Sequence, residues 1–468
     1  MIEFGTGGWR AIIGDEFTKE NVQKIATAIA LECEDKRIVV GYDRRFLSDV
    51  AAKWFSEVMI AHGIHVYFIN KAVPTPIIMF SVKQLNTNYG VAITASHNPA
   101  IYNGIKVFTQ GGKDATEDYT AKFEASLKKG IEVITDDFDQ GLKQNLIEYL
   151  EPGNDYIDSI LSMVDISAIR NANIKALIDP MHGVSKTSLT IILSTARVDV
   201  DIINSRHDTL FGGKLPSPAS STLMHLSEKV AKEHYDIGIA TDGDADRIGI
   251  VDEKGAFIHP NLLLSLIYDY LLRVKKQKGA VVRNLSTTHA LDAIAKAHNE
   301  LCIETSVGFK HITMNMEKYN ALIGGESSGG LTIRGHINGK DGIFAATLLV
   351  EMLGITKKPL SQLVSELEDR YGKFYFVEHN YEFSNEKKEL VKKRLENRST
   401  LAFSKPLKEV KDFDGIKFYF EDDSWISCRF SGTEPLLRVF AESKDEKAIL
   451  EDVSTLVHYL GIQDDLQS

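Results

Sequence analysis

Three aspartates at alternate positions are the residues of this sequence most suited to bind a metal ion. Asp242, Asp244 and Asp246 lie in the run IGIATDGDADRIGIVDE, between apolar segments that are typical of buried strands. In an extended backbone alternate side chains project to one face, so we expect the three carboxylates to converge. Carboxylates this close repel one another unless a cation lies among them, and oxygen ligands favour Mg²⁺. The loop therefore predicts a magnesium site with positions left for water and a phosphate oxygen.

Two alternatives to a magnesium site are a solvated acidic turn and a calcium loop of the EF-hand type. The buried strands expected on both sides disfavour a solvated turn. Glu253 stands at the twelfth position of the EF-hand pattern, but that loop needs glycine at its sixth position, where this chain has Arg247. It also needs flanking helices rather than strands, so we reject the calcium loop.

A serine follows another apolar strand, in the run VAITASHNPAIYNGIK. Ser96 comes two residues after the last residue of the strand at 91–94, at the end of the strand where α/β sheets place their ligands. Pro99 and Gly104 are turn-forming residues that would fix the shape of the loop. The alternatives are an ordinary turn and a Ser–His–Asp hydrolase. The sequence has no GxSxG elbow, and we expect the His97 side chain to point away from the serine hydroxyl.

The elements that must position these loops alternate between helix and strand through the first three quarters of the chain. Apolar residues at helical spacing predict helices at 20–34 and 51–62, each followed by a strand, at 37–42 and 65–69. Further strand-like segments lie at 175–178, 236–250, 280–284 and 321–324. This alternation predicts an α/β fold with mixed, mainly parallel sheets, and its recurrence about every 100 residues is compatible with internal duplication.

The last hundred residues differ, because strand-like segments there are separated by helices rich in lysine and glutamate. The predicted strands lie at 374–377, 417–420, 425–430 and 437–442, which indicates a smaller α+β domain. Breaks in the pattern near 151–154, 252–255 and 371–374 divide the chain. The predicted domains are 1–148, 149–252, 253–370 and 371–468.

Composition and charge exclude several classes of protein. The 468-residue chain has a net charge of −11, from 54 basic and 65 acidic side chains. This argues against a general binder of nucleic acid or anionic membranes, although a locally basic cleft can still take an anionic substrate. Three scattered cysteines without CxxC spacing favour reduced thiols over disulfides or a zinc site. We see no secretory signal and no apolar stretch long enough to span a bilayer, so we expect a cytoplasmic protein.

TASHNP followed by YNGIK, together with TDGDADR, resembles the α-D-phosphohexomutase superfamily of phosphoglucomutases and phosphomannomutases. The motifs GGESSGG at 324–330 and RFSGTEP at 429–435 follow in the same order, and the N-terminal FGTGGWR also fits. The resemblance covers nearly the whole chain. It implies three related α/β domains and a C-terminal α+β domain around one large cleft. It also implies a phosphosugar mutase that passes a phosphoryl group through a bisphosphorylated sugar.

The resemblance implies that Ser96 is the phosphoryl carrier, a phosphoserine whose phosphate completes the metal site with the three aspartates. Arg247 matches the family arginine that contacts this phosphate, and Arg10 is the basic residue of the first motif. We place His97, beside the carrier, in the same catalytic set. The implied cofactors are Mg²⁺ and a trace of glucose 1,6-bisphosphate, or the matching sugar bisphosphate, as activator.

Two lysines are candidates for general acid/base work, and the choice between them stays open. Lys106 matches a family lysine close to the phosphoserine. Lys340 lies in HINGKDG, which resembles the segment that contains a proposed base in phosphoglucomutases. A lysine can take this role only if burial or neighbouring cations lower its pKa.

The remaining motifs are expected to bind the sugar and its second phosphate. Glu326 and Ser328 of GGESSGG can bond to vicinal hydroxyls, and Lys310 of VGFKHI resembles a basic residue that reaches the substrate. Gly330 stands where the phosphomannomutase branch often has a histidine. RFSGTEP would form a cradle for a dianion from the residues Arg429, Ser431, Gly432 and Thr433.

The motifs favour glucose phosphates as substrate, with mannose phosphate next and glucosamine phosphate or a pentose phosphate behind. A metal-dependent sugar phosphatase and a non-catalytic sensor of sugar phosphates are the alternatives from other classes. The sensor is disfavoured because the carrier serine, the three aspartates and the phosphate motif are all present. Oligomeric state stays open.

Overall fold

The computed structural model describes residues 2–5, 7–398, 401–431 and 436–466, and the strands in these ranges form four β-sheets. The strands of the first sheet are β1 (Trp9–Ile12), β2 (Arg37–Tyr42), β3 (His65–Ala72), β4 (Tyr89–Ile93), β5 (Tyr102–Thr109), β6 (Lys113–Asp114) and β7 (Ile147–Tyr149). Its helices are α1 (Lys19–Glu32), α2 (Ser48–Ala61), α3 (Thr75–Leu85), α4 (Glu117–Lys129) and α5 (Phe138–Lys143). The strand order is β1-β5-β4-β2-β3-β7, with β6 beside β5.

The second sheet follows the helices α6 (Gly153–Ser162) and α7 (Ile166–Arg170). Its elements are β8 (Lys175–Asp179), α8 (Lys186–Thr195), β9 (Asp199–Ile202), α9 (Met224–Glu233), β10 (Ile237–Thr241), β11 (Ile248–Asp252) and β12 (Phe257–Ile258). The strand order is β12-β11-β10-β8-β9. A short 3₁₀ turn, Phe211–Gly213, lies in the connection before α9.

The third sheet has the strand order β14-β13-β15-β16. Its strands are β13 (Val281–Asn284), β14 (Cys302–Thr305), β15 (Ile323–Gly325) and β16 (Leu331–Ile333). The helices around it are α10 (Pro260–Asp269), which continues as a π-helical turn (Tyr270–Val274), α11 (Ala290–Ala297), α12 (Phe309–Tyr319), α13 (Gly342–Thr356) and α14 (Leu360–Tyr371).

One topology recurs in these three sheets. In each, three parallel strands linked by helices are followed by a strand that turns back as an antiparallel neighbour, and the first sheet has β7 as a further parallel strand. The recurring hairpins are β4–β5, β10–β11 and β15–β16. Because these hairpins occupy equivalent places in three similar units, their loops are available to line a common cleft.

Helix α13 joins the second unit to the third. Its sequence, GIFAATLLVEMLGIT, is apolar almost throughout, and residues 342–354 are all buried between the two sheets and the helices α7 and α8. A helix that is apolar all round belongs in an interior rather than at a surface. Asp341 begins the helix by accepting hydrogen bonds from the backbone N–H groups of Ile343 and Phe344, at 2.9 and 3.0 Å.

The fourth sheet is antiparallel, with the order β17-β21-β20-β19-β18. Its elements are β17 (Tyr375–Glu382), α15 (Asn385–Glu396), β18 (Leu407–Lys411), β19 (Ile416–Phe420), β20 (Trp425–Phe430), β21 (Leu436–Ser443) and α16 (Glu446–Leu460). A final 3₁₀ turn spans Gln463–Asp465. This unit has a hydrophobic core of its own, whereas one apolar cluster runs through the other three units.

The predicted fold class is confirmed: three mixed, mainly parallel α/β units are followed by an α+β unit. The predicted strand segment 236–250 divides into two strands, β10 and β11, around the aspartate loop. Strand β18 was not predicted from the sequence, because it is exposed and rich in lysine. The boundaries between the four domains stay predictions. Within the described residues, no helix is both long enough and apolar enough to cross a membrane.

Candidate active site

The loops of the three equivalent hairpins meet at one place. The Ser96 hydroxyl donates a hydrogen bond of 2.7 Å to Asp242 Oδ2, which joins the first loop to the second. The backbone N–H of Ile248 donates to the Gly329 carbonyl at 3.2 Å, which joins the second loop to the third. The structure therefore brings the serine, aspartate and sugar motifs to the same cleft.

The aspartate loop is a tight turn, so the expectation of an extended backbone is wrong. Ala245 has φ of +63°, in the left-handed region, and its N–H bonds to the Asp242 carbonyl at 3.0 Å. This turn, rather than strand alternation, makes the carboxylates converge. Asp242, Asp244 and Asp246 each contribute one oxygen to a group whose members lie within 4.8 Å of one another, and all three residues are buried.

The donor set fits a divalent cation that prefers oxygen ligands. The Oδ1 atoms of Asp244 and Asp246 are buried and have no hydrogen-bond partner among the described residues. Buried carboxylate oxygens are rarely left without a partner, because their desolvation costs free energy. A cation such as Mg²⁺ at this place would satisfy both atoms and reduce the repulsion among the three charges.

Lysines neutralise part of this acidic cluster. Lys106, on β5, donates to Oδ2 of Asp244 and of Asp246, both at 2.6 Å, and Lys340 lies 2.9 Å from the same Asp246 oxygen. Burial raises the pKa of Asp242 well above its usual range, and the neighbouring aspartates raise it further. Burial also acts to raise the pKa of Asp246, but Lys106, Lys340 and Arg247 together hold that pKa well below its usual range.

Lys106 is unsuited to act as a general base, because a lysine needs a lowered pKa for that role. Burial acts to lower its pKa, but the carboxylates of Asp244 and Asp246 outweigh burial and raise that pKa above its ordinary value. Lys106 is therefore held as a fixed positive charge. The Lys340 side chain remains 15% exposed.

The carrier candidate, Ser96, lies in a strained and fully buried position. Its φ is +54°, in the left-handed region that residues with a Cβ seldom adopt. His97 contradicts the expectation that it points away, because its Nδ1 lies 3.3 Å from the Ser96 hydroxyl oxygen. Burial, together with the positive charges of Arg247 and Arg10, lowers the pKa of His97 well below its usual range, so this imidazole is neutral.

Sequence reasoning missed the residues that hold the serine loop. Asp43 accepts hydrogen bonds from Thr94 Oγ1 at 2.6 Å and from the Arg45 backbone at 2.9 Å. The Arg45 guanidinium donates to four carbonyls of the loop, those of Ser96, Asn98, Pro99 and Tyr102, at 2.5 to 3.0 Å. The available signal was a charged run, DRR, directly after the buried strand β2, at the ligand-binding end of a parallel sheet.

Two arginines stand beside the serine and aspartate loops. Arg10, on β1, donates to Asn98 Oδ1 at 2.9 Å, and the backbone N–H of Arg247 donates to Asp242 Oδ1 at 3.0 Å. Their Nε atoms are buried without a hydrogen-bond partner among the described residues. Burial and the nearby Arg247 charge lower the pKa of Arg10 from its usual value. Arg247 is half-buried, as is Arg10, and Arg247 Nε lies 3.9 Å from Asp246 Oδ1. Two guanidinium groups side by side form a site suited to an anion.

The sugar motif is held by residues of the third sheet. Glu326 Oε1 accepts from Asn284 Nδ2 at 2.9 Å and from the Gly308 backbone at 3.0 Å. Ser327 N donates to Thr287 Oγ1 at 3.2 Å, and Ser328 is exposed. The sequence could not reveal Asn284 and Thr287 as supports, because both precede the motif by about 40 residues.

Gly330 is required by the path of Lys340. A Cβ at position 330 would lie 2.3 Å from Lys340 Cδ and 2.8 Å from its Cγ. Lys340 therefore crosses the space that a side chain at 330 would fill, and from there it reaches Asp246. Gly330 and Lys340, which lie in separate motifs, act as one packing unit.

Lys310 is buried and paired rather than free on the surface. Its ammonium forms an ion pair with Glu117 of α4, which links the third unit to the first. His311 Nε2 lies 3.7 Å from the same carboxylate. The structure thus places Lys310 between two units, where it bonds to an acidic residue that sequence reasoning did not identify.

The phosphate motif is described only in part, since Gly432 and Thr433 lie outside the described residues. Arg429 Nε donates to Asp414 Oδ1 at 2.7 Å, and Asp414 Oδ2 accepts from Val307 N at 2.7 Å. Ser431 N bonds to the Leu436 carbonyl at 2.8 Å. Asp414 therefore connects the fourth unit to the segment next to Gly308, which itself holds Glu326. Sequence reasoning missed this aspartate.

Comparison with protein families matches the chain in four consecutive pieces. The descriptions are phosphoglucomutase/phosphomannomutase alpha/beta/alpha domain I at residues 1–133, domain II at 154–255, domain III at 259–371 and the C-terminal domain at 390–455. A phosphoglucomutase/phosphomannomutase of Thermococcus kodakarensis is 32% identical over 96% of each chain. A probable phosphoglucosamine mutase of Pyrococcus furiosus is 32% identical over 94% of this chain and 93% of that protein.

Solved structures show the same fold. A putative phosphomannomutase from Thermus thermophilus aligns with a TM-score of 0.85 and 28% identity over 98% of this chain and 99% of that one. The phosphoglucomutase parafusin from Paramecium aligns with a TM-score of 0.84, over 99% of this chain and 95% of that one. At 21% identity the second similarity concerns the fold alone.

Proposed function

Because the chain belongs to the phosphoglucomutase/phosphomannomutase family, we propose that it moves a phosphoryl group reversibly between O1 and O6 of glucose phosphate. Family membership makes it a phosphohexomutase, an isomerase that acts by intramolecular phosphoryl transfer. The observation that carries the proposal is the contact of 2.7 Å between the Ser96 hydroxyl and Asp242, at the edge of a buried group of three carboxylates.

Ser96 is the proposed carrier, and its surroundings account for that role. The strained backbone and the four hydrogen bonds from Arg45 fix the hydroxyl beside Asp242. In the forward step, a sugar hydroxyl oxygen forms a bond to the phosphorus while the bond from phosphorus to Ser96 Oγ breaks. The product is a sugar bisphosphate, which turns over and returns its other phosphoryl group to Ser96.

The charges of the transferring group would be balanced by this chain's own cations. The buried Nε atoms of Arg10 and Arg247 would donate to the phosphoryl group, and Lys106 would hold the aspartates in place as a fixed charge. A divalent cation held by Asp242, Asp244 and Asp246, which we propose to be Mg²⁺, would withdraw negative charge from the phosphoryl oxygens.

Lys340 is the proposed acceptor of the proton that the attacking hydroxyl loses. It lies beside Gly330 of the sugar motif and reaches Asp246, so its amine lies between the sugar motif and the aspartate loop. Lys106 is less suited because it is buried against two carboxylates that hold its ammonium in the charged form, whereas Lys340 pairs with only one of them and stays part-exposed. Neutral His97, 3.3 Å from the serine oxygen, would orient that hydroxyl.

The outer loops would bind the rest of the substrate. Glu326, held by Asn284 and Gly308, would accept hydrogen bonds from sugar hydroxyls. Ser328 and Lys310 lie in the same region, and Lys310 would exchange its partner Glu117 for substrate. Arg429 and Ser431, with Gly432 and Thr433, would hold the phosphate that does not react.

Glucosamine phosphate is the second candidate substrate, since several relatives are named probable phosphoglucosamine mutases. Purified protein should be assayed with Mg²⁺ and the 1-phosphates of glucose, glucosamine, mannose and ribose, each with a trace of the matching bisphosphate. We expect the highest kcat/KM with glucose 1-phosphate. A higher value with glucosamine 1-phosphate would replace glucose in the proposal, and release of inorganic phosphate in place of an isomeric sugar phosphate would indicate a phosphatase.

The carrier role has its own test. Ser96→Ala should abolish mutase activity, because the sugar then has no phosphoryl donor. Ser454→Ala, at an exposed serine of α16, is the matched control and should keep normal activity. Full activity of Ser96→Ala would rule out the carrier role.

A further inference from the structure

A cavity of about 250 Å³ lies between the third and fourth units, and no residue of the motif loops lines it. One wall comes from α10, α11 and the end of α14, and the other from the linker into β17 and the end of β21. Its aromatic residues are Tyr371, Phe374, Tyr375 and Phe376. Since an apolar cavity of about 150 Å³ can take up benzene, this one has room for a substituted aromatic ring.

Two of the residues that line the cavity, Asn261 and His259, have hydrogen-bond donors. Asn261 is 5% exposed, and its Nδ2 has no hydrogen-bond partner among the described residues. Its Oδ1 accepts from Thr288 N at 3.3 Å, which fixes the orientation of the amide. His259 Nδ1 accepts from the Asn261 backbone at 3.2 Å, so a neutral ring carries its proton on Nε2. Burial lowers the pKa of His259 to about 4 and keeps that ring neutral.

Acidic residues at the same cavity exclude an anion. Glu442 is buried, and its Oε1 accepts from His289 N at 2.7 Å and from Trp425 Nε1 at 3.2 Å. Glu368 lines the cavity as well. Burial raises the pKa of Glu442, which shows that a negative charge is disfavoured here. An anionic ligand would meet the same desolvation cost beside these carboxyl groups, whereas a neutral carbonyl oxygen would satisfy the orphaned Asn261 amide.

We propose that this cavity binds an uncharged, single-ring aromatic molecule that carries a carbonyl oxygen, and that binding regulates the catalytic cleft. The ring would pack among the aromatic side chains of the linker, and the carbonyl would accept from Asn261 Nδ2. Nothing in the proposed mutase mechanism uses this cavity, so the site would be a second one on the same chain.

A short chain of contacts joins the cavity to the sugar motif. Asn261 holds Thr288, and the adjacent Thr287 accepts from Ser327 N at 3.2 Å and donates to Asn284 Oδ1 at 2.8 Å. Asn284 in turn donates to Glu326. A ligand that bonds to Asn261 is therefore linked through Thr288 to Thr287, the residue that holds the sugar loop.

The position of the cavity gives binding a second effect. Its two walls belong to different units, so its volume depends on how closely the fourth unit approaches the third. A ligand that fits one separation stabilises that separation relative to others. The fourth unit carries Arg429, and an occupant would thereby change how readily the phosphate motif meets the cleft.

Benzamide is the probe that tests binding, with benzoate as its charged counterpart. Calorimetry on the full chain should show saturable benzamide binding with a dissociation constant in the millimolar range, as expected for so few atoms, and none for benzoate. Asn261→Leu, which removes the donor at similar volume, should weaken benzamide binding about tenfold. Asn385→Leu, at an exposed asparagine of α15, is the matched control and should bind normally.

Ala290→Phe keeps the experiment decisive if Asn261→Leu does not fold. This substitution fills the cavity from α11 without removing a hydrogen bond, and benzamide binding should disappear. Absence of benzamide binding to the unaltered chain, or equal binding to Ala290→Phe, would overturn the proposal. Tight binding of benzoate would contradict the proposed ligand class.

Regulation is tested by mutase activity at saturating benzamide. We expect saturating benzamide to change the kcat of the unaltered chain at least twofold and to leave the kcat of Ala290→Phe unchanged. Inhibition that sugar phosphate overcomes competitively would place benzamide in the catalytic cleft and refute the regulatory role. The binding measurement does not depend on the identity of the sugar, so failure of the proposed function leaves it intact.

Discussion

At the scale of single residues, the aspartate loop depends on both charge and backbone conformation. Three carboxylates converge because Ala245 adopts a left-handed conformation, and lysines offset their charge. The pattern of alternate aspartates was visible in the sequence, and so was its chemistry. The turn was not, because alanine has no preference for a positive φ and only the surrounding packing imposes it.

Loss of one carboxylate should weaken the metal site sharply. For Asp244→Asn we expect the Mg²⁺ concentration that gives half-maximal activity to rise about tenfold or more, since even residues that only orient metal ligands contribute about 10–100-fold. Titration of activity with Mg²⁺ measures this. Asp199→Asn, at an exposed aspartate of β9, is the control. An unchanged Mg²⁺ requirement of Asp244→Asn would remove Asp244 from the metal site.

Gly330 offers a test of Lys340 that leaves the lysine itself in place. In Gly330→Ala the new Cβ would overlap the Lys340 side chain and displace its amine from Asp246. We expect kcat to fall about tenfold, with little change in Mg²⁺ requirement. Gly153→Ala, at a glycine with open space around it, is the control.

A double-mutant cycle separates this effect from a general disturbance. If Gly330→Ala acts through Lys340, it should add little to Lys340→Met, because the interacting partner is already gone. Additive losses in the double variant would show that the two residues act independently.

At the scale of elements, strand β19 and the loop before it connect the fourth unit to the sugar motif. Asp414 bonds to Arg429 and to Val307, next to the Gly308 N–H that holds Glu326. We expect Asp414→Asn to raise KM about tenfold and to change kcat less, because a charge-assisted bond that positions the phosphate motif is weakened. Asp412→Asn, at an exposed neighbouring aspartate, is the control.

A result with the opposite pattern would alter this account of Asp414. If kcat falls and KM stays constant, Asp414 does not position a substrate-binding group. If neither parameter changes while Asp412→Asn also behaves normally, the contact between Asp414 and Arg429 has no functional role.

The pH dependence of stability should report on helix α10, which begins directly after His259. Burial lowers the pKa of His259 to about 4, whereas an unfolded histidine titrates near 6.5. Between these pH values the unfolded chain binds one proton more at this histidine than the folded chain does. The contribution of neutral His259 to the free energy of unfolding is therefore fully present above about pH 6.5 and is lost as the pH drops toward 4.

Urea unfolding between pH 4 and 7 measures this contribution. His259→Leu should flatten the acidic part of the stability profile, and His225→Leu, at an exposed histidine, should not. A profile unchanged by His259→Leu would mean that this histidine is not held neutral by the fold.

The elements themselves were largely predictable, and their contacts were not. Apolar periodicity located β2, the start of β3 and most of the fourth sheet, and the motifs located the hairpin loops. Asp43, Arg45, Asn284 and Asp414 were missed because they act through contacts with residues far away in the sequence. Local patterns carry no information about such pairs.

At the scale of the whole molecule, three units of one topology are joined by a continuous apolar cluster and supply one loop each, whereas the core of the fourth unit is separate from that cluster. The contacts of the fourth unit with the third include polar ones: Lys417 is buried against Glu304 at 2.8 Å and the Leu285 carbonyl at 2.6 Å. Polar interfaces of this kind are common where domains move relative to one another. This arrangement would allow the phosphate motif to approach a cleft that the other units hold rigid.

We propose that Ser96 carries the phosphoryl group between the two positions of the sugar. The most direct measurement is to incubate the protein and Mg²⁺ with ³²P-labelled glucose 1,6-bisphosphate and to map the label by peptide analysis. The label should appear on Ser96 and pass to hexose phosphate when unlabelled glucose 1-phosphate is added. Label on another residue, or its release from the protein only as inorganic phosphate, would contradict the account.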